Sequence, residues 1–320
     1  KILFITFICE AVGAVLLSFR FIPEFGVLKG VWFSIFHSIS AFCNAGFDLM
    51  GRKYGAYNSL SGYSSDFLIN TVIMLLILIG GIGFIVWDDI TKHKLRFGKY
   101  RLHSKIVLFT SVLLFVIPSM LFFITEHDTV LKDTSPAHSL LISTFSDVTA
   151  RTAGFNTVDF KLFTDAGKMI FIIIMFIGAG SGSTAGGIKM TTFFILLAQV
   201  RANVFNKKVT EVFNRTISNE TVVRAATIST INISLILLSS IIINYIDKIN
   251  MLDLLFEVTS AVSTVGVTTG ITRNLHTISK CILIVLMYLG RVGGLSFALS
   301  LTHNKNQFKL KNPVEDISIG

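Results

Sequence analysis

Three stretches of this chain repeat one pattern, and their spacing limits what it can fold into. They are Ser40-Ala41-Phe42-Cys43-Asn44-Ala45-Gly46-Phe47, Val148-Thr149-Ala150-Arg151-Thr152-Ala153-Gly154-Phe155 and Ser260-Ala261-Val262-Ser263-Thr264-Val265-Gly266-Val267. Their glycines, Gly46, Gly154 and Gly266, lie 108 and 112 residues apart. Self-similarity at a fixed period marks a repeated structural unit. Each stretch ends a short apolar segment (Gly30 to Ala41, Ala137 to Ala150, Met251 to Ser263) and precedes a long one. A bilayer takes roughly 20 apolar residues to cross, so the short segments cannot span it. Long, short re-entrant and long segments in succession outline a pore-forming unit. Irregular backbone at membrane depth is tolerated only where protein or a water-filled cavity surrounds it.

Ser263-Thr264-Val265-Gly266-Val267 has the composition of a cation filter built from backbone carbonyls. Dehydrating K⁺ requires a ring of oxygens in place of its water shell. A glycine beside small or β-branched residues gives the dihedrals that aim carbonyls inward. The aligned strands are Cys43-Asn44-Ala45-Gly46-Phe47 and Arg151-Thr152-Ala153-Gly154-Phe155, with K⁺ expected at the backbone carbonyls of Asn44, Thr152 and Thr264. The short segments would point the negative ends of their helix dipoles at the cation.

Composition agrees with a membrane protein. The chain is 52% hydrophobic and 15% charged, with mean hydropathy +0.71 and 29 phenylalanines. That is too apolar for a soluble domain of this size. Cys9, Cys43 and Cys281 are scattered and imply neither a metal site nor a disulfide framework;. Long segments are read at Ile2–Phe19, 67–87, 106–125, 168–200, 225–245 and 281–301, the third with a kink at Pro118. Gly80-Gly81-Ile82-Gly83 in the second allows close helix approach or a bend. Glu10 in the first is read as a carboxylate hydrogen-bonded between helices. The chain opens at Lys1 inside an apolar run, and a further N-terminal part is expected.

The segment 168–200 contains Gly178-Ala179-Gly180-Ser181-Gly182-Ser183-Thr184-Ala185-Gly186-Gly187, ten small residues in a row. This predicts a broken helix with a loop inside the membrane rather than a tight helix-packing face. Lys189 follows it, and Arg291 lies among glycines in the last long segment. Basic residues at membrane depth are functional candidates. Arg291 is expected below the filter, touching carbonyls of 178–187 as an electrostatic gate. Lys189 either joins it or snorkels to the interface. Arg151 would repel K⁺ if unpaired and is expected to pair with Glu257 or Asp147.

The net charge of +9 raises nucleic acid as a partner. The basic residues instead fall in loops, where they set membrane orientation. Segments 92–105, 201–224 and 303–320 hold 14 of them, against ten spread over five segments on the other side. The first set, including the C-terminal tail, is expected to be cytoplasmic, so the filter strands enter from outside. No nucleic acid is expected, and the lipid bilayer is the first partner.

Together these features resemble the potassium-translocating membrane subunits of the Trk/Ktr/HKT superfamily, the Ktr type most closely. The residues that carry the resemblance include Phe36-His37-Ser38-Ile39 with the first strand, Arg151-Thr152-Ala153-Gly154-Phe155-Asn156, Phe176-Ile177-Gly178-Ala179-Gly180-Ser181, Gly187-Ile188-Lys189, Thr264-Val265-Gly266 and Gly290-Arg291. The resemblance runs along essentially the whole chain. It implies an all-α polytopic fold of span–pore-loop–span units around a pseudo-fourfold cation pore, with one filter glycine per unit. The units here would be 1–89, 90–200 and 201–302 (second, third and fourth of the family's four) followed by a tail, 303–320. It also implies channel-like K⁺ uptake at the cell membrane, Na⁺ stimulation, a homodimer, and a cytosolic RCK-type ring of nucleotide-binding subunits. Three strands cannot close a fourfold filter, and none of them carries a tyrosine, so moderate K⁺ selectivity is expected. The alternative is a secondary transporter of Na⁺ or a small solute with broken helices, although such folds favour inverted repeats and a midplane carboxylate. A membrane enzyme is disfavoured because the seven histidines form no motif.

Overall fold

The computed structural model describes residues 2–55, 57–94 and 96–292. Helix α1 (Ile2–Phe25) runs through Pro23 and packs antiparallel to α2 (Val27–Phe42), with Gly30 lying so close to Ile22 that a β-carbon there would meet its backbone at 2.5 Å. A short helix α3 (Gly51–Tyr54) follows the first glycine strand. Asp66 then caps α4 (Phe67–Ile82) by accepting from the Ile69 amide, a standard way to satisfy an orphan donor;.

At Gly83 the 67–87 segment bends, one of the two outcomes its glycines allow. Helix α5 (Phe84–His93) leaves α4 at 92°, and Gly83 sits at φ +97, a conformation that disfavours any side chain;. Helix α6 (Leu102–Thr125) runs as one helix through Pro118. Ser135 caps α7 (Pro136–Ala150), with proline in its first turn;. Thr164 caps α8 (Asp165–Ile177), and the chain resumes as α9 (Met190–Val204) only after the small-residue stretch.

The basic 201–224 segment is more ordered than a loop. It holds a hairpin of β1 (Thr210–Val212) and β2 (Arg215–Ile217), turned by Phe213 and Asn214, both at positive φ. Two central residues at positive φ match the turn twist to the strand twist. Ser218 caps α10 (Asn219–Asp247), Asn250 caps α11 (Met251–Val262), and α12 (Thr277–Val292) ends the described chain. The tail 303–320 and the end of the last long segment lie outside the described residues.

Among the described residues, α1, α6 and α10 are each long and apolar enough to cross a membrane, and the bent α4–α5 pair adds a fourth candidate. Many large apolar residues on these helices face outward, for example Leu3, Phe7, Val112 and Leu238. Inside, α7 and α11 are buried along most of their length, and α2 is buried chiefly towards its C-terminal end. Phe122, Phe160, Phe163, Phe171 and Phe256 interlock at ring separations of 4.7–6.2 Å between α6, α8 and α11. Without a hydrophobic driving force inside lipid, such shape-specific packing is what holds helices together.

Candidate functional site

The three short helices end alike. Each stops four residues before its glycine, and the backbone then reverses handedness twice: at Asn44 and Gly46 (φ +50, +70), at Thr152 and Gly154 (+67, +95), and at Thr264 and Gly266 (+52, +91). Left-handed and right-handed residues in alternation turn successive carbonyls toward the same side. An L side chain at such a position costs roughly 1–2 kcal/mol. Asn and glycine tolerate it, while Thr152 and Thr264 are held there against their β-branching.

A hydroxyl from each helix fixes the strand after its glycine. Ser40 donates to the Phe47 carbonyl at 2.8 Å, Thr149 donates to that of Phe155, and Ser260 donates to that of Val267 at 2.7 Å. Ser260 also accepts the Gly266 amide at 3.1 Å. These pins are not evident from composition. The signal was available as a Ser or Thr five or six residues before every repeated glycine.

The strands lie side by side. A β-carbon on Gly46 would meet the Ala153 carbonyl at 2.4 Å, and one on Gly154 would meet the Val265 carbonyl at 2.5 Å. One on Gly266 would meet nothing within 4 Å. Asn44 bridges the first two strands, its Nδ2 donating to the Arg151 carbonyl at 3.4 Å and to Thr152 Oγ1 at 3.5 Å. Ala45, Ala153, Phe155, Ser263, Val265 and Val267 complete the strands, and Phe155 is fully buried while Phe47 is exposed. Cys43 closes α2, its thiol 3.9 Å from Glu10 Oε1, and Ser38 binds the Glu10 backbone carbonyl. The Arg151 side chain turns away from its strand. It pairs with Asp147 at 3.4 Å and donates to the Ser111 carbonyl, and both charged groups are buried. Glu257 takes no part in that pairing; it holds Thr268 and Thr272.

The small-residue stretch is an irregular loop joining α8 to α9. Its first half docks on the Gly80-Gly81-Ile82-Gly83 turn, where Gly180 N donates to Gly81 O (2.9 Å) and Phe84 N donates to Gly182 O (3.1 Å). Ser181 meets Thr191, and Ser183 donates to the Gly180 carbonyl. Met190 N closes on Ala179 O at 3.1 Å. Its second half crosses the ends of two short helices. Thr184 reaches the Phe42 carbonyl at 3.3 Å, and a β-carbon on Gly186 would lie 1.9 Å from Thr264 Oγ1 and 2.7 Å from the Ser263 carbonyl. Gly187 sits against Ser263, and Gly178 against the returning chain at Gly186 and Ile188. Gly80 and Gly290 make matching approaches, to the Phe42 and Val262 carbonyls.

Two cations hold this half. Lys189 Nζ donates to the Ala185 carbonyl at 2.6 Å and lies 3.4 Å from that of Gly186. Arg291 Nη1 donates to the Thr184 carbonyl at 2.8 Å. Both Lys189 contacts are thus to carbonyls of the loop itself.

Comparison with known proteins places this arrangement. A family model described as "TrkH: Cation transport protein" matches residues 1–310. The potassium/sodium uptake protein NtpJ of Enterococcus hirae is 41% identical over 98% of this chain and 69% of its own length. The Ktr system potassium uptake protein B of Bacillus subtilis is 37% identical over 100% and 71%. The crystal structure of the potassium transporter TrkH from Vibrio parahaemolyticus superposes with a TM-score of 0.71 at 20% identity, covering 91% of this chain and 62% of that one. The architecture is therefore that of a polytopic, all-α membrane transporter, with one small β-hairpin. With the family model spanning nearly its whole length and two relatives above 35% identity, the chain belongs to the TrkH family of cation transport proteins.

Proposed function

We propose that this chain forms most of a channel-like K⁺ uptake pathway across the cell membrane. One observation carries the reading: three short helices aim their C-terminal ends at three adjacent strands that share the same alternation of backbone handedness. Carbonyls so arranged replace the hydration shell of a cation, and the helix ends add negative potential without fixed charge. The carbonyls of Asn44, Thr152 and Thr264 would bear K⁺. Units 1–89, 90–200 and 201–302 each contribute one strand, and the open side of Gly266 is where a fourth strand would complete the ring. The uptake proteins among the relatives support K⁺ as cargo, and NtpJ's name brings Na⁺ with it.

The loop 178–187 is the gate in this reading. Lys189 and Arg291 hold it across the helix ends and add positive potential on the cytoplasmic side of the filter. The carbonyl-bound arginine opposes cation exit until the loop withdraws. A homodimer, Na⁺ stimulation, a cytoplasmic C-terminus and a cytosolic nucleotide-binding RCK-type ring are the accompanying family expectations, the ring acting on this loop from below. The test is growth on low potassium in a bacterium lacking its own K⁺ uptake systems and carrying the complete gene. Rescue is expected, and a Gly266→Asp version at equal membrane level is expected to fail. Rescue indifferent to Gly266 would turn the assignment toward the solute-transporter alternative.

A further inference from the structure

The second and third strands are held by different groups beyond their glycines. Gly46 rests against the second strand and Gly154 against the third, while Gly266 has no neighbour within 4 Å of a β-carbon position. Beyond the second strand, Asn156 is clamped by the first unit's outer loop: Leu60 N donates to its carbonyl at 2.9 Å and its own amide donates to Ser59 Oγ at 3.3 Å. The equivalent residue of the third strand is Thr268, two positions after its glycine. Its clamp comes from its own helix. Thr268 Oγ1 donates to Glu257 Oε2 at 2.8 Å, Thr272 donates to Oε1, and the Thr269 backbone amide reaches the same carboxylate. Thr268 and Thr272 touch at 3.0 Å, and Thr268 Oγ1 accepts the Gly270 amide at 2.8 Å.

Glu257 is 6% exposed, on a re-entrant helix at membrane depth. A carboxylate there is expensive and is kept where it performs a task. Anchoring α11 does not require it, since Asn250 caps the helix and Leu254, Phe256 and Val258 bury its apolar face. The corresponding positions, nine residues before the other two glycines, are His37 and Phe145. His37 Nε2 makes one long contact, 3.4 Å, with the Leu49 amide. Among the three strands described, three donors on one carboxylate are thus found only behind the third.

We propose that Glu257 is the positioning residue of the third strand: by tying down Thr268 and Thr272 it fixes the carbonyls around Gly266 and so sets discrimination between K⁺ and Na⁺. This rests on the filter reading above. A ring of oxygens discriminates ions by the number and placement of its carbonyls. Freeing one strand lets its carbonyls close on the smaller ion.

The experiment compares K⁺ and Na⁺ fluxes of the full-length transporter in liposomes, with membrane amounts equalised. Glu257→Ala is expected to lower the K⁺/Na⁺ flux ratio roughly tenfold, the scale set by losing hydrogen bonds to a charged acceptor. Glu257→Gln, which keeps an acceptor oxygen, is expected to recover part of the ratio. Thr268→Val removes one donor with little change of volume and is expected to give a smaller fall in the same direction. K⁺ and Na⁺ flux falling in equal proportion in Glu257→Ala, or an unchanged ratio, overturns the proposal. Should that variant fail to reach the membrane, a wild-type ratio in Thr268→Val overturns it instead. A wild-type protein that is indifferent to Gly266→Asp removes the filter itself. A selective, Gly266-dependent protein with ion-blind Glu257 variants removes only this role.

Discussion

Two irregular segments meet inside this molecule, and they are held by opposite means. The glycine strands themselves are fixed by neutral groups, with the Glu257 carboxylate acting only on the loop beyond the third: hydroxyls of Ser40, Thr149 and Ser260 sit on backbone carbonyls, and neighbouring backbone is in contact at Gly46 and Gly154. The 178–189 segment is divided. Residues 180–183 are bonded backbone-to-backbone onto the α4–α5 bend, whereas 184–186 are held chiefly by Lys189 and Arg291. The half that lies under Thr264 is the half without backbone partners. Neutral backbone clamps give a fixed geometry that no local charge perturbs. Cation-to-carbonyl contacts can be exchanged for water or a moving ion, which suits the gating role proposed for this loop.

The largest expected effect comes from breaking the fixed side. In Gly154→Ala the new methyl would sit 2.5 Å from the Val265 carbonyl at φ +95, and in Gly46→Ala 2.4 Å from that of Ala153 at φ +70. Either substitution is expected to abolish K⁺-dependent growth. Gly266→Ala carries the same left-handed strain of about 1–2 kcal/mol, with its new methyl on the side where the fourth strand of the proposed ring would lie;. It is expected to impair uptake as well. Parental growth of all three alanine variants would mean that strand contact does not matter.

Next comes the ion pair behind the second strand. Asp147→Ala leaves Arg151 buried and uncompensated, and breaking such a pair costs about 3–5 kcal/mol;. Thermal unfolding of the detergent-purified protein is expected to show a large loss of stability, with much of it recovered in an Asp147→Leu, Arg151→Met double variant. No recovery would assign Arg151 a role beyond pairing.

On the movable side the sign reverses. Arg291→Ala removes the bond to the Thr184 carbonyl, a charge-assisted contact worth about 1.5–3 kcal/mol when shielded, and the group is exposed enough to sit at or below the low end;. Uptake is expected to rise by roughly threefold to tenfold, or to lose its dependence on regulation. Unchanged uptake with unchanged regulation would leave the loop without a gating arginine.

The sequence conveyed the repeats, the three short helices to within a few residues, and the break after Ile177, because period, length and a run of small residues are local signals. It also led to Asp147 as one of two partners for Arg151, since both lie in the short helices. It left the 92° turn at Gly83 as one of two readings. Gly80-Gly81-Ile82-Gly83 reads equally as a packing face, and only the loop docking onto it, with Ser181 O 2.6 Å from where a β-carbon on Gly83 would be, decides for a bend. The hairpin at 210–217 was hidden too, because Phe213-Asn214 is not a common turn pair and charge dominated that segment. Nor was the role of Glu257 legible, because its donors lie in a loop whose path depends on the glycine between them.

The smallest effects test whether the hydroxyl pins act as graded restraints. Ser260 makes two bonds across its strand, donating to Val267 O and accepting Gly266 N, while Ser40 makes one. Each is worth about 0.5–1.5 kcal/mol net, and a buried carbonyl left without its donor loses somewhat more. Ser260→Ala is therefore expected to weaken apparent K⁺ affinity severalfold, and Ser40→Ala about half as much on a logarithmic scale. The ordering, rather than the size, carries the information. If Ser40→Ala proved the more harmful, strand support would follow the contact between neighbouring strands and not the hydroxyl from the helix below. The strand at Gly266 takes two bonds from its helix hydroxyl where the first takes one, and Ser260→Ala should there be the more damaging of the pair.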